Sequence, residues 1–497
     1  MARKDFKGFL LSLLLVLFFS SLTVSAQEVK IITLDEAMII ARKQSPDALS
    51  AMHRFRSSYW QYRNYKADLM PALTLDATIP SLSDNIYKIQ TENGDVFSRY
   101  NQVSYSSGLS LTKNLSLTGG QIFLNSDLER IDYITDDSTS FRSSPLNIGI
   151  RQPIFSFNKY KWLKKIEPLK YDEAQRRYLE DVETVSLNAA NAFFRLLDAQ
   201  MRLKIAKTNS ANNDTLYQIA RGRFNIGTIA ENELLQIELS LLNSRSAVEE
   251  ANLEVEMRLF DLRSFLRIPE NVQIELLAPA KPPVQVVNTQ DAIAQARLNR
   301  ADALAFDRRL LEADSRVNEA RSSGRLNANL YAVYGLSQSS QYFEDVYRQP
   351  LEGKTVQFGI TLPILDWGLE RGKIKLAESD RELERNAVQQ NIKDFDQEVL
   401  LKVMQYNMQP IQYAIAAKSD TVAQKRYEVT KQRYLIGKIG ITDLNIAQNE
   451  KDNAQQGYIS ALATYWRSYF ELRKLTLFDY EQGKPITFNF NDIPDVD

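Results

Sequence analysis

Two hydrophobic periods alternate along this chain, and the alternation occurs twice in the same order. Apolar residues first recur at helical spacing from Thr33 to about Lys43, opened by the capping signal Thr33-x-x-Glu36. A Ser45-Pro46 break follows, then a helix to about Leu69, stopped by Pro71. The period then drops to two. Leu73, Leu75, Ala77 and Ile79 alternate with Thr74, Asp76 and Thr78, and Leu146, Ile148 and Ile150 with Asn147, Gly149 and Arg151. The second half repeats the scheme with a short helix around Gln290–Leu298 and a longer one from about Ala301 to Ser323, ended by Gly324. After it, Leu330, Ala332, Tyr334 and Leu336 share one face. Val356, Phe358, Ile360, Leu362 and Ile364 share another, opposite Thr355, Gln357, Gly359 and Thr361. Such runs of about ten residues, apolar on one side, suit a bilayer-spanning barrel strand. A soluble hairpin packed on a core gives the same alternation.

Very long helices follow each strand region. Residues 159–222 and 367–433 contain no internal glycine or proline except Pro168, Gly368, Gly372 and Pro410, and shorter helices are predicted over 231–266 and 441–478. A rod of this kind extends roughly 95 Å at 1.5 Å per residue. Val182, Ala189, Leu196 and Leu203 repeat every seventh residue, as do Leu234, Leu241, Val248, Val255 and Leu262, with Ile237, Ala251 and Phe265 as companions. Asn188, Gln200 and Ser244 interrupt this narrow seam. Helices so long with so thin a stripe need neighbours on two sides, which packing around a ring would supply.

The halves also match residue by residue. Phe224-x-x-Gly227-x-Ile229 with Glu233-Leu234 recurs as Tyr434-x-x-Gly437-x-Ile439 with Asp443-Leu444, an offset that also superposes Pro153-Ile154 on Pro363-Ile364. Upstream, Ala41-Arg42 and Asp47-Ala48-Leu49 match Ala296-Arg297 and Asp302-Ala303-Leu304 at a larger offset. The difference is extra sequence in the first strand region. It holds another alternating pair, Val103–Leu111 and Gln121–Leu124, around a Gly119-Gly120 turn. This inserted hairpin, taken as 100–128, has two possible placements: in the barrel wall or in an external loop.

Composition narrows the class. Residues 1–26 read as a cleaved signal peptide, with basic Arg3, Lys4 and Lys7, a short apolar core Phe9–Phe19, and Val24-Ser25-Ala26 before the cut. No later stretch is apolar enough for a transmembrane helix, so an exported chain either floats free or crosses a membrane as a barrel. Removing the signal takes away three basic and one acidic residue, leaving 58 Lys+Arg against 61 Asp+Glu. That balance argues against a nucleic-acid partner. With no cysteine and a single histidine, His53, neither thiolate chemistry nor a His-rich metal site nor a Ser-His-Asp triad can be built. His53 reads as a surface or packing residue. No catalytic, cofactor-binding or metal-binding residues are expected, and an enzyme is disfavoured.

The tandem halves, the paired strand ends Gln152-Pro153-Ile154 and Leu362-Pro363-Ile364, and the two Phe/Tyr-x-x-Gly-x-Ile turns resemble the TolC family of outer membrane efflux proteins. The resemblance implies a mainly α fold with β structure: a tandem-repeat, coiled-coil-like helical barrel plus a transmembrane β-barrel completed by trimerisation, each protomer giving four strands. It implies a first repeat over 27–268 (helices within 33–70, strands within 72–154) and a linker over 269–288. The second repeat would cover 289–479 (helices 289–323, strands within 327–364) and a tail 480–497, with linker and tail wrapping the tunnel. The protein is then a passive exit duct for efflux or type I secretion, in the outer membrane of a Gram-negative bacterium with a long periplasmic extension. Its partners are two further copies of itself, outer membrane lipid, a periplasmic adaptor (membrane fusion) protein and an inner-membrane pump. A periplasmic helical scaffold without a barrel is the alternative, and it leaves the alternating segments unexplained.

The resemblance also assigns roles. Phe224, Gly227, Ile229, Tyr434, Gly437 and Ile439 would form the hairpin tips where the adaptor docks. Asp443, Glu233, Asn232 and Tyr434 would form the periplasmic gate, and Pro153 and Pro363 would mark the strand-to-helix transitions. Three copies of Asp443 would make a cation-selective ring, although an acid in the first helical turn is also favoured by the helix dipole alone. Ile439 replaces a gate-bridging arginine of the family and Ile446 a second acid, so closure here is expected to rest on apolar contacts. Nothing in the ligand composition supports soft-metal cargo.

Overall fold

The computed structural model describes residues 29–91, 94–283 and 286–494; the signal peptide expected over 1–26 lies outside them. The elements in chain order are β1 (Val29–Ile32), α1 (Leu34–Gln44), α2 (Pro46–Asp68), β2 (Ala72–Thr91), β3 (Gly94–Asn114), β4 (Gln121–Tyr133) and β5 (Ser138–Ile154). Then come α3 (Lys159–Asn225), α4 (Glu231–Leu266), β6 (Gln273–Leu276), α5 (Thr289–Asn299), α6 (Ala301–Ser323), β7 (Asn327–Ser340) and β8 (Leu351–Thr361). α7 (Leu369–Leu435), α8 (Ile441–Thr476) and the two-residue strands β9 (Phe478–Asp479) and β10 (Lys484–Pro485) complete the order. The long helices are twins: α3 and α7 have 67 residues each, and α4 and α8 have 36 each. Among the described residues, no helix is long and apolar enough to cross a membrane.

Two compact units share the chain. One holds residues up to 51, 181–292 and 401–484, and is helical. The expected capping box opens α1: the Glu36 amide donates to the Thr33 hydroxyl and the Thr33 amide to the Glu36 carboxylate. β1 pairs in parallel with β6, so the segment after α4 is fastened to the start of the described chain. Ala189, Leu196, Ile237, Leu241 and Leu262 are buried as their heptad positions predict. Glu183, almost fully buried, is held by Arg42 at 3.1 Å and Arg473 at 3.2 Å.

The other unit holds 52–180, 293–400 and 485–494. Its sheet corrects the strand count implied by the resemblance. Among the described residues six strands, not four, form one antiparallel sheet in the order β2-β3-β4-β5-β7-β8. The inserted hairpin is longer than 100–128 and lies between β2 and β5, because its alternation continues the faces of both neighbours. Leu73 faces Leu111, Leu111 faces Leu124, Leu124 faces Ile148 and Ile148 faces Tyr334. One residue along, the opposite face reads Thr74, Ser110, Asn125, Asn147, Gly335 and Gly353. Beside the sheet, Phe55, Tyr59 and Ile493 make a buried core with Tyr171 and Tyr178 of α3 and Phe490 of the tail.

Candidate functional site at the two helix turns

Both long helices end in the same way because both carry glycine at the residue that must turn left-handed. Gly227 has φ +74° and Gly437 +73°, which an L-side chain adopts only with strain. The Gly227 amide donates to the Phe224 carbonyl and the Thr228 amide to that of Arg223. Gly437 and Lys438 bond Tyr434 and Arg433 identically, all four at 2.9 Å. This pairing satisfies carbonyls that a helix end otherwise leaves bare. α4 and α8 then follow the N-cap residues Ala230 and Gly440, neither with a side-chain cap.

The two turns share one apolar cluster. Leu216, Ala220, Ile237, Tyr427, Tyr434, Ile441, Leu444 and Ala447 are buried in it, and Ile229, Leu234 and Ile439 pack against it. Positions that match in sequence therefore differ in environment. Tyr434 is 1% exposed, whereas its counterpart Phe224 is 38% exposed. Asp443 is exposed, as is Asn232, while Glu233 is half-buried near the Tyr434 hydroxyl. Burial raises the Tyr434 phenol, the charge of Glu233 adds to this, and Arg223 opposes it. That phenol oxygen has no hydrogen-bond partner. Of the strand-to-helix candidates, Pro153 lies at the end of β5 opposite Asn329, and Pro363 just beyond β8. They are not part of the turn cluster.

Arg223 escaped the sequence reading. Its guanidinium donates to the Leu435 carbonyl and lies 5.8 Å from the centre of the Tyr434 ring, so it bridges the end of α3 to the end of α7. The repeat carried the signal, since Arg223 matches Arg433, but only one of the pair turns inward. A polar layer was missed as well. Buried Lys451 lies 3.1 Å from Asp452, 3.4 Å from Asn209 and 4.5 Å from the Tyr427 ring centre. Burial and the charges of Glu428 and Asp452 push the Tyr427 phenol up to about 12. Extending the heptad frame from Leu444 lands on Lys451, Tyr458, Tyr465 and Leu472; an ionisable residue in that frame was the visible clue. No group of three or more metal-ligating side chains occurs among the described residues.

Conformation and packing are thus what the site offers. The chain matches the outer membrane efflux protein family over residues 39–266 and 289–476. It belongs to that family. The outer membrane efflux proteins are channel proteins rather than enzymes, and outer membrane placement goes with the membership. The fold of this efflux protein is similar to that of the Campylobacter jejuni CmeC outer membrane channel, with a TM-score of 0.66 at 18% identity over 92% of this chain and 87% of that one. The Vibrio cholerae outer membrane protein VceC gives 0.64 at 13% identity, covering 91% and 97%. The open state of the Neisseria gonorrhoeae MtrE outer membrane channel gives 0.59 at 16%, covering 89% and 88%. An uncharacterized protein of Haemophilus influenzae is 27% identical over 108 residues, a match that covers 20% of this chain and only 24% of that protein.

Proposed function

We propose that three copies of this chain form a passive exit duct for efflux or type I secretion, crossing the outer membrane as a shared β-barrel and the periplasm as a helical tunnel. The observation that carries this reading is the sheet: one face is apolar from β2 to β8, and β2 and β8 are its two unpaired edges. Hydrocarbon tolerates no open edge, so the strands must close with other copies. Six is an even number, so β8 of one copy meets β2 of the next antiparallel, as the rest of the sheet requires. The helices support the same assembly. Leu401, Met408, Ile415, Val422 and Val429 recur every seventh residue along α7, Ile436 continues the spacing just past its end, and all are exposed, as are Leu239, Leu253 and Phe260 on α4. Exposed seams of this kind fit helix partners on neighbouring copies.

In this reading the turns at Gly227 and Gly437 are the periplasmic tip, docking a periplasmic adaptor fed by an inner-membrane pump, and exposed Asp443 lines the entrance. The described parts of the linker and tail, 269–283, 286–288 and 480–494, would wrap the helices outside. The test is reconstitution of the mature chain into planar bilayers, with gel migration before and after boiling. Discrete conducting steps and a heat-sensitive oligomer band are expected. A monomer with no affinity for lipid and no conductance would refute the duct.

A further inference from the structure

The β3–β4 hairpin lies within the sheet, and its chemistry matches that of the strands on either side. On β3, Leu109 and Leu111 continue the apolar face from Leu75 and Leu73; on β4, Ile122 and Leu124 pass it on to Ile150 and Ile148. Ser110 and Asn125 continue the opposite face, and their side chains hydrogen-bond each other at 2.9 Å. The turn that returns the hairpin is also tied down. The Asn158 amide donates to the carbonyls of Ser116 at 3.1 Å and Leu117 at 3.0 Å. Gln152 donates to Thr118 at 3.0 Å, and Asn114 to Asp68 at the end of α2 at 3.1 Å. These bonds hold it level with the points where α2 gives way to β2 and β5 to α3.

Width gives a second argument. Within this unit, α2, α3, α6 and α7 stand in a row. Tyr62 stacks on Tyr171, Arg308 pairs with Glu173, and Phe306 meets Phe395 edge-on. The row runs in the same order as the strands these helices join: β2, β5, β7 and β8. Four helices about 9 Å apart occupy an arc of about 36 Å. Strands about 4.8 Å apart and tilted about 40° take about 6.3 Å each, so four cover about 25 Å and six about 38 Å. Six strands, not four, match the row.

We infer that the hairpin is a structural part of the membrane wall, with Leu109, Leu111, Ile122 and Leu124 against lipid acyl chains, so that three copies close an eighteen-stranded barrel. The inference rests on the duct reading above. Its consequence is a barrel about 36 Å across the backbone rather than the roughly 24 Å of twelve strands. A lumen of that width admits bulkier cargo and does not narrow where helices give way to strands.

Because the chain has no cysteine, single cysteines report cleanly. L109C, S110C, L124C and N125C would be placed on the hairpin, with I148C and N147C on β5 as reference, in the full chain in lipid vesicles with a water-soluble maleimide. The wall placement predicts that S110C and N125C react about tenfold faster than L109C and L124C, with the same contrast on β5. Fast labelling at all four hairpin sites beside a preserved β5 contrast would place the hairpin outside the bilayer and overturn the inference while leaving the duct intact. Loss of the contrast on β5 as well would remove the membrane barrel, and this inference with it.

Discussion

At the scale of single residues, the two matching acids at the turns stand in different surroundings. Asp443 is exposed, whereas Glu233 is half-buried beside the Tyr434 phenol, so their positions in the repeat do not make them equivalent. If Asp443 lines the entrance, Asp443→Ala lowers cation over anion selectivity in planar bilayers on the order of threefold, because three charges leave one ring. An unchanged reversal potential takes Asp443 out of the entrance. Tyr434 is held by packing, since its hydroxyl is buried without a partner. Tyr434→Phe should therefore be neutral or raise stability by up to about 1 kcal/mol. Tyr434→Ala should cost about 3–5 kcal/mol at the tip, as emptied aromatic sites do. Local hydrogen exchange across 427–447 separates the two outcomes. Sequence made the glycines readable, because a helix end dictates them, and the resemblance marked Ile439 as apolar where the family carries an arginine. It could not tell Tyr434 from Phe224, since which of two matched rings turns inward depends on Arg223 and the partner turn.

At the scale of elements, the order of the helices and of the sheet strands around them was legible, since the switch from period 3.6 to period 2 is local, whereas the short strands β1, β6, β9 and β10 carried no such signal. The hairpin was not. Alternation says that a segment is a strand, while its place between β2 and β5 depends on pairings across the sheet and on the bonds that anchor its turn. The helix turns themselves can be tested at this scale. Nothing lies within 4 Å of a Cβ added at Gly227 or Gly437, so the cost of Gly→Ala is the left-handed backbone alone, about 1–2 kcal/mol per site. Faster amide exchange at Thr228 and Lys438 is the readout; unchanged exchange would mean that the turn relaxes to another geometry. Between α6 and α7, hydrogen bonds from Arg321 and Lys375 hold the Glu378 carboxyl down to about 2. A carboxylate whose folded value is lowered stabilises fully above its free value, 4.5 here, and loses that contribution as pH falls towards 2. The Tm gap between wild type and Glu378→Gln should therefore close across that window. A gap that persists at pH 2 would assign the effect to packing.

At the scale of the whole molecule, the decisive features are surfaces that one copy leaves uncovered. A soluble monomer seldom exposes a regular apolar seam, and α7 exposes one from Leu401 to Val429 with a residue at every seventh position. Such a seam is costly in water, and in the proposed assembly the exposed residues of α4 on a neighbouring copy would offer it a matching surface. The open edges of β2 and β8 make the same demand in lipid, by hydrogen bonding rather than by area. The two demands can be separated, because a charge on the helix seam leaves every strand pairing untouched. Ile415 lies mid-seam and is 56% exposed in the single chain, so Ile415→Glu does not disturb the fold of that chain. It should weaken assembly through the helices by about 2–3 kcal/mol for each buried copy of the charge, as for an unpaired polar group taken out of water. The expected result is a shift from trimer towards monomer by analytical ultracentrifugation in mild detergent, reversed when a lysine is placed opposite it on α4. If Ile415→Glu remains wholly trimeric at every concentration, the helices do not meet along this seam, and closure must rest on the strands alone.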